Sequence, residues 1–306
     1  MLSGVLVVDK PAGPTSHDVV DRVREVLGER RAGHTGTLDP FATGVLPVCV
    51  GKATRLVRFL AEGDKVYRAT VRLGFATTTD DLLGEPLGPA REARVDLETV
   101  RAACGRLTGD LMQVPPAYSA KRVGGHRMYD LARQGKAVER APSPVTVGAI
   151  QVLGLRDGHV DVEIRCSPGT YIRALARDLG EALGLGGHLT ALRRTRSGTF
   201  ALEQAVEWDD LGTRGREGLL SLSSLLPEMP AARVGARGAL ALRHGRDLGL
   251  DLVVSGFPET APPPRLRILD EGSGHLLALA VPRGFGPAVE GLPVPPVLHP
   301  DVVLSD

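Results

Sequence analysis

The stretch GHTGTLDPFATG, residues 33–44, holds one carboxylate, Asp39, and along the chain the nearest other acids are Glu29 and Glu62. So isolated an acid narrows the chemistry. Glycosidase-type hydrolysis generally uses two carboxylates facing one bond, and none pairs locally with Asp39. Metal catalysis uses clustered His, Asp, Glu or Cys; His34 with Asp39 makes a poor set, and no H-E-x-x-H occurs. GVLPVCVGKAT imitates a phosphate loop, but its first Gly stands two positions too early and Ala53 occupies the place of the magnesium-binding Ser or Thr. Taken alone, the stretch reads as a turn, since Asp before Pro with Thr37 nearby often ties its side chain to local backbone.

The elements around it follow from periodicity and punctuation. Residues 5–8 form a short buried strand that breaks at Pro11 and Gly13, and SHDVVDRVREVLG has helical spacing, with Ser16 as N-cap and Gly28 as stop. GVLPVCVG reads as a buried strand. KVYRATVRLG alternates, with Val66, Tyr67, Ala69, Val71 and Leu73 among polar partners, as a strand with one covered face does. A helix is expected over residues 96–107, then a Pro turn, a Gly-Gly break and a short basic helix. VTVGAIQVLGL and HVDVEIRCS read as a strand pair feeding the well-patterned helix of PGTYIRALARDLGEALG. From about residue 229 Pro-rich segments surround short apolar strands, the pattern of a small β-rich appended domain.

A chain of 306 residues is long enough for one large domain and a smaller one. No apolar run approaches the roughly 20 residues that span a bilayer, and the opening MLSGVLVVDKPAG has no signal-peptide pattern, so a cytoplasmic location is expected. Cys49, Cys104 and Cys166 lie far apart without C-x-x-C spacing and read as buried thiols. The net charge of +1 predicts no nucleic-acid partner by itself. Residues 121–140, however, carry six Lys or Arg against two acids, either a solvated face or an arm that clamps a phosphate backbone.

Five blocks, DKPAGPTSHDVV, GHTGTLDPFATGVLPVCVGKATRL, KVYRATVRLGFATTTDD, QVPPAYSAKRVGGHRMYDLARQG and CSPGTYIRALARDLGEALGLGGHLTALRRTRSGTF, together resemble the TruB family of tRNA pseudouridine synthases. They occur in the family's order and cover most of residues 4–200. The resemblance implies an α+β pseudouridine synthase fold: a mixed, largely antiparallel central sheet flanked by helices over residues 1–228, with a thumb-like RNA-binding insertion at about 121–145. ALALRHGRDLGL and RLRILDEGSGHLLALAVPRG resemble a PUA-like RNA-binding module over 229–306.

The resemblance also implies roles. Asp39 is the catalytic Asp, acting on the C1′–N1 bond of the T-loop uridine, position 55, so that the base rotates and rejoins through C5. Attack at C1′, attack at C6 and removal of the 2′ proton are all open to it. Arg173 pairs with that carboxylate, orienting it and keeping it ionised, and Tyr67 stacks on the base and assists proton loss from C5. Tyr171 and Leu192 line the uracil pocket, and His34 fills the space left by the flipped nucleotide. Lys10 and Pro11 support the loop, and Lys121, Arg127, Arg133 and Lys136 are candidates for the RNA backbone. No cofactor and no metal is implied. The partner is the tRNA T stem-loop, bound by a monomer without membrane or guide RNA. A guide-RNA-dependent synthase of a ribonucleoprotein and a non-catalytic tRNA-folding chaperone are the competing readings; the basic arm favours the stand-alone enzyme.

Overall fold

The computed structural model describes residues 2–116, 140–258, 262–284 and 296–304, together with the backbone of the pairs 122–123 and 126–127. The strands of its first part are β1 (Gly4–Lys10), β2 (Ala32–His34), β3 (Thr43–Val50), β4 (Lys65–Leu73), β5 (Gly109–Gln113), β6 (Arg122–Val123), β7 (His126–Arg127), β8 (Ser143–Arg156), β9 (His159–Cys166) and β10 (Gly187–Ser197). The helices are α1 (Ser16–Leu27), α2 (Val57–Ala61), α3 (Leu97–Arg106) and α4 (Ile172–Ala182).

One sheet runs β1-β3-β10-β4-β9-β8-β5, with Val206–Glu207 outside β1. The β3–β10 and β1–Val206 contacts are parallel and the remaining ladders antiparallel, as expected of a mixed, largely antiparallel sheet. Residues 43–50 read as a continuous apolar run because both faces of β1 and β3 are covered. On one side Leu6, Val8, Leu46 and Val48 pack in a core with Val19, Val20 and Val23 of α1. On the other, Val5, Val7, Val45 and Cys49 pack with Leu269, Leu276, Leu279 and Val302 from the end of the chain. All three cysteines are buried thiols.

Local signals set most element boundaries, with two differences. The N-cap of α1 is Thr15 rather than Ser16: Thr15 and Asp18 form a reciprocal capping box, and Gly28 closes the helix in the left-handed region. The Ser16 hydroxyl is thereby free to reach the Asp39 loop. The covered face of β4 is Lys65, Tyr67, Ala69, Val71 and Leu73, so a lysine stands where apolar spacing would put a hydrophobe, and Val66 lies on the other face. The basic helix and the side chains of Lys121, Arg127, Arg133 and Lys136 lie outside the described residues; the described backbone there is the small β6–β7 ladder. The helix expected over 96–107 is α3, with Asp96 capping it through the Thr99 N–H.

A second sheet orders Leu248–Gly249, Val297–Val303, Leu276–Arg283, Leu266–Asp270, Ala231–Val234 and Val253–Ser255. Polar groups reinforce its contact with the first sheet. Arg58 and Arg265 reach Asp301 at 2.9 and 2.8 Å, and both guanidinium groups lie on the Phe59 ring, 4.6 and 4.7 Å from its centroid. Among the described residues no helix is long and apolar enough to cross a membrane.

Candidate active site

The Asp39 loop connects the antiparallel neighbours β2 and β3, and buried donors hold its backbone. Lys10, fully buried at the end of β1, donates to the carbonyls of Pro11, Pro40 and Ala42 at 2.9, 3.1 and 2.7 Å. Ser16 Oγ donates to the Leu38 carbonyl at 2.9 Å and accepts from the Leu38 N–H at 2.8 Å. The Gly13 N–H donates to the Pro40 carbonyl at 2.8 Å, while the Asp39 carbonyl accepts from Ala42 N–H at 3.1 Å to close the Asp-Pro turn. The turn reading is therefore right for the backbone of Asp39. Its side chain points elsewhere.

That carboxylate meets Arg173, 134 residues later, with Nε to Oδ2 at 3.0 Å and Nη2 to Oδ1 at 3.1 Å. Such a two-point contact fixes the plane of the carboxylate as well as its position. Arg173 lies in the first turn of α4, and the helix start is itself clamped: Tyr171 N–H donates to Gln113 Oε1 at 2.8 Å and Gln113 Nε2 returns to the Tyr171 carbonyl at 3.0 Å. Behind Arg173 lies a second acid. Asp81, buried, accepts from Nη1 at 3.3 Å and from the Leu83 N–H and Thr79 hydroxyl. One helical turn on, Arg177 reaches Asp80 at 3.1 Å, so successive turns of α4 grip the loop at residues 79–81.

Asp80, Asp81, Gln113, Ser16 and Arg194 are the residues missed at the sequence level as parts of the site. The one available signal is the four-residue spacing of Arg173 and Arg177, which puts two cations on one helix face. Asp81 and Asp80, the loop acids they meet, lie 92 and 97 residues away along the chain.

A cavity of about 300 Å³ opens beside the carboxylate. Asp39 and Arg173 form one part of its wall, Tyr67 and Lys65 of β4 and Leu192 and Arg194 of β10 another, and Tyr171 with the 167–170 turn a third. In the β4–β10 ladder Leu192 lies opposite Ala69 and Arg194 opposite Tyr67. Five of the expected site residues thus converge on one cavity. Lys10 and Pro11 lie beneath the loop instead, and His34 ends β2, its Nδ1 accepting from the Gly36 N–H at 3.2 Å. His34 does not line the cavity.

Burial sets the charge states. It pushes the Asp39 carboxyl above the ordinary carboxylate value, and Arg173 opposes that shift without overcoming it. Arg173 thus favours the ionised form of Asp39 while burial disfavours it. Burial likewise raises the Tyr67 phenol, with Arg194 pulling the other way. It depresses Lys10 and Lys65 to about 8 and lowers His34. The Asp39 side chain keeps 31% of its surface open on the cavity side. The result is one oriented, partly desolvated carboxylate facing an aromatic and apolar slot lined by cations. It can attack an electrophilic carbon or take a proton from a substrate whose flat ring is seated against Tyr67.

Comparison with known proteins gives the family. Residues 24–172 match the model of the TruB family pseudouridylate synthase N-terminal domain, and residues 173–220 match that of the tRNA pseudouridylate synthase B C-terminal domain. The chain is 51% identical over 253 residues to tRNA pseudouridine synthase B of Thermobifida fusca, covering 80% of this chain and 86% of that protein. It is 57% identical over 209 residues to the protein of the same name from Gloeobacter violaceus, covering 67% and 71%. Among solved structures it resembles an H/ACA ribonucleoprotein bound to a substrate RNA containing 2′-deoxyuridine, with a TM-score of 0.71 at 26% identity over 98% of this chain and 84% of that one. A Cbf5-Nop10-Gar1 complex gives the same TM-score at 28% identity over 99% and 85%. The fold, the five ordered blocks and these matches together show that the chain belongs to the TruB family of pseudouridylate synthases.

Proposed function

We propose that this chain is a stand-alone tRNA pseudouridine synthase that isomerises uridine 55 of the T loop, with Asp39 as its catalytic carboxylate. The observation that carries the reading is the two-point Asp39–Arg173 contact at the wall of a cavity closed on other sides by Tyr67, Tyr171 and Leu192. A single carboxylate suffices because isomerisation leaves nothing to hydrolyse: the uracil stays in the pocket and rejoins the same ribose. Asp39 attacks C1′ or C6 or removes the 2′ proton, Arg173 holds its plane, and Tyr67 lies against the base and assists loss of the C5 proton. Tyr171 and Leu192 exclude water from the ring.

The target nucleotide must leave its stack to enter, since C1′ and C5 cannot exchange partners inside a stacked loop. His34, which does not line the cavity, fills the space the nucleotide vacates in this reading. Lys121, Arg127, Arg133 and Lys136 belong to the thumb-like insertion at about 121–145. Arg140 Nη1 donates to the Pro115 carbonyl at 3.2 Å, tying the later part of that segment to the chain just before it. The boundary between catalytic and PUA-like parts falls near residue 229, and the later sheet adds RNA contact remote from the chemistry.

Relatives at 51 and 57% identity named tRNA pseudouridine synthase B favour a protein that acts alone over a guided particle subunit, whose solved counterparts stand at 26 and 28%. The intact Asp39, Tyr67 and Arg173 favour an enzyme over a folding chaperone. The test is pseudouridine mapping after incubating a T stem-loop RNA with the purified monomer alone. Product at the loop uridine is expected; no product until a guide RNA is supplied would defeat the reading.

A further inference from the structure

Arg194 has no part in the scheme above. Its neighbour Arg193 holds Asp9 through two contacts at 3.1 and 2.6 Å, and Arg173 holds two carboxylates. Arg194, 1% exposed, differs. Among the described residues its hydrogen bonds run to the carbonyls of Val45 (2.7 Å), Gly36 (3.1 Å) and Thr37 (3.5 Å) and to the Tyr67 phenol, with no carboxylate partner. The sheet places it there. Arg194 pairs with Tyr67 across β4 and with Gly44 across β3, and a Cβ at Gly44 would come within 2.1 Å of the Arg194 carbonyl oxygen. Only glycine lets β3 run so close.

A buried guanidinium hydrogen-bonded only to dipoles is costly relative to one in water, and carbonyls offset part of that cost. Because Arg194 lines the cavity with Asp39 and Tyr67, an anion in that cavity would complete the compensation. The reaction creates one. When the C1′–N1 bond breaks, its electron pair stays on N1 and spreads to O2 and O4, while C1′ is taken by the Asp39 oxygen or by the double bond left on 2′-proton loss. If Asp39 adds to C6 instead, the displaced pair moves through C5 to O4. Every route puts negative charge on the base; C5 then bonds to C1′ while Asp39 is released from C1′ or C6, or returns the 2′ proton to C2′, and the C5 proton leaves as N1 is protonated. The product is an isomer, and no oxidant or reductant enters.

We propose that Arg194 is the fixed positive charge that favours negative charge on the uracil ring as the glycosidic bond opens, its guanidinium held in advance by the Gly36, Thr37 and Val45 carbonyls. The assignment rests on the proposed uridine chemistry. Preorganised charge of this kind contributes without reorganisation during the reaction.

The test compares the intact protein with Arg194→Gln and Arg194→Lys on two T stem-loop RNAs, one with uridine and one with 5-fluorouridine at the target position. Loss of the starting nucleoside is followed in single turnovers at saturating protein, with folding checked by circular dichroism. Arg194→Gln is expected to slow uridine conversion about 10²-fold with RNA affinity within about twofold. Fluorine withdraws electrons and carries part of the base's charge, so the same variant is expected to lose about 10-fold or less on the fluorinated RNA. Equal losses on both RNAs would overturn the assignment, because a purely structural defect ignores the substituent.

Arg194→Lys keeps the charge and makes it titratable, and it decides the matter if the Gln variant does not fold. The groups facing the position are Lys65 and Tyr67 on β4, Asp39 and Lys10 beneath and beside the loop, His34 on β2 and Arg173 on α4. Since Lys10 and Lys65 already titrate near 8 there, the readout is the ratio of variant to intact rate. That ratio is expected to fall as pH rises through the region of 8; a ratio constant from pH 6 to 9 would overturn the proposal. Failure of the intact protein to make pseudouridine in the uridine RNA would instead remove the underlying functional reading.

Discussion

Replacing Asp39 by Asn keeps the shape of the side chain and removes its charge. Of the two contacts to Arg173, at 3.0 and 3.1 Å, the amide oxygen can retain one, and the NH2 group then faces a guanidinium N–H with nothing to accept. Loss of a charge-assisted hydrogen bond costs about 1.5–3 kcal/mol. Against it stands relief of desolvation, which already outweighs Arg173 in setting the carboxyl's upward shift. Arg173 also keeps Asp81 at 3.3 Å. The two effects nearly cancel, so stability is expected to change by about 1 kcal/mol or less, a Tm shift of no more than about 2–4 °C. Chemistry has no such compensation: an amide is neither a nucleophile nor a base, and the single-turnover rate should fall by at least about 10⁴-fold. On the proposed reading phosphate contacts supply RNA affinity, which should stay within about twofold. Circular dichroism melts, filter binding and pseudouridine mapping read the three quantities separately. Retained turnover would remove Asp39 from the chemistry; a collapse of affinity in step with rate would show that the carboxylate mainly organises the RNA site.

Asp81→Asn should slow turnover about 10-fold or more without altering RNA affinity, because Arg173 loses its rear partner and its hold on the plane of Asp39; an unchanged rate would make Asp81 a purely structural acid. The acid limb of the rate–pH profile should lie above the ordinary Asp value of about 3.9, since burial raises the Asp39 carboxyl and activity falls as pH drops through that raised pKa. A limb at or below the ordinary value would show that Arg173 outweighs burial. Asp301→Ala removes the shared partner of Arg58 and Arg265, which is partly exposed. It should cost about 1 kcal/mol and increase proteolysis between the two sheets, with single-turnover chemistry unchanged. A comparable loss in chemistry would couple the later sheet to the active site.

The sequence by itself determined the elements whose causes are local. Gly28 ends α1, Asp96 caps α3, and the two-residue alternation of β4 is written in adjacent side chains. The isolation of Asp39, and the motif blocks around it, mark the loop in the chain itself. Tertiary structure decided which groups meet. Ser16 is not a cap but a clamp on Leu38, because Thr15 takes the capping position and leaves its hydroxyl free. Lys65 and Arg194 break the apolar patterning of a covered face, and their places are set by the insertion of β10 between β3 and β4. Asp81 reads in the chain as one of two acids in a threonine-rich turn and stands in the fold behind Arg173, 92 residues away. Helix caps and strand alternation depend on neighbours along the backbone. The charge state and orientation of Asp39 depend on sheet order and register, which bring distant groups within 3.3 Å and exclude water from between them.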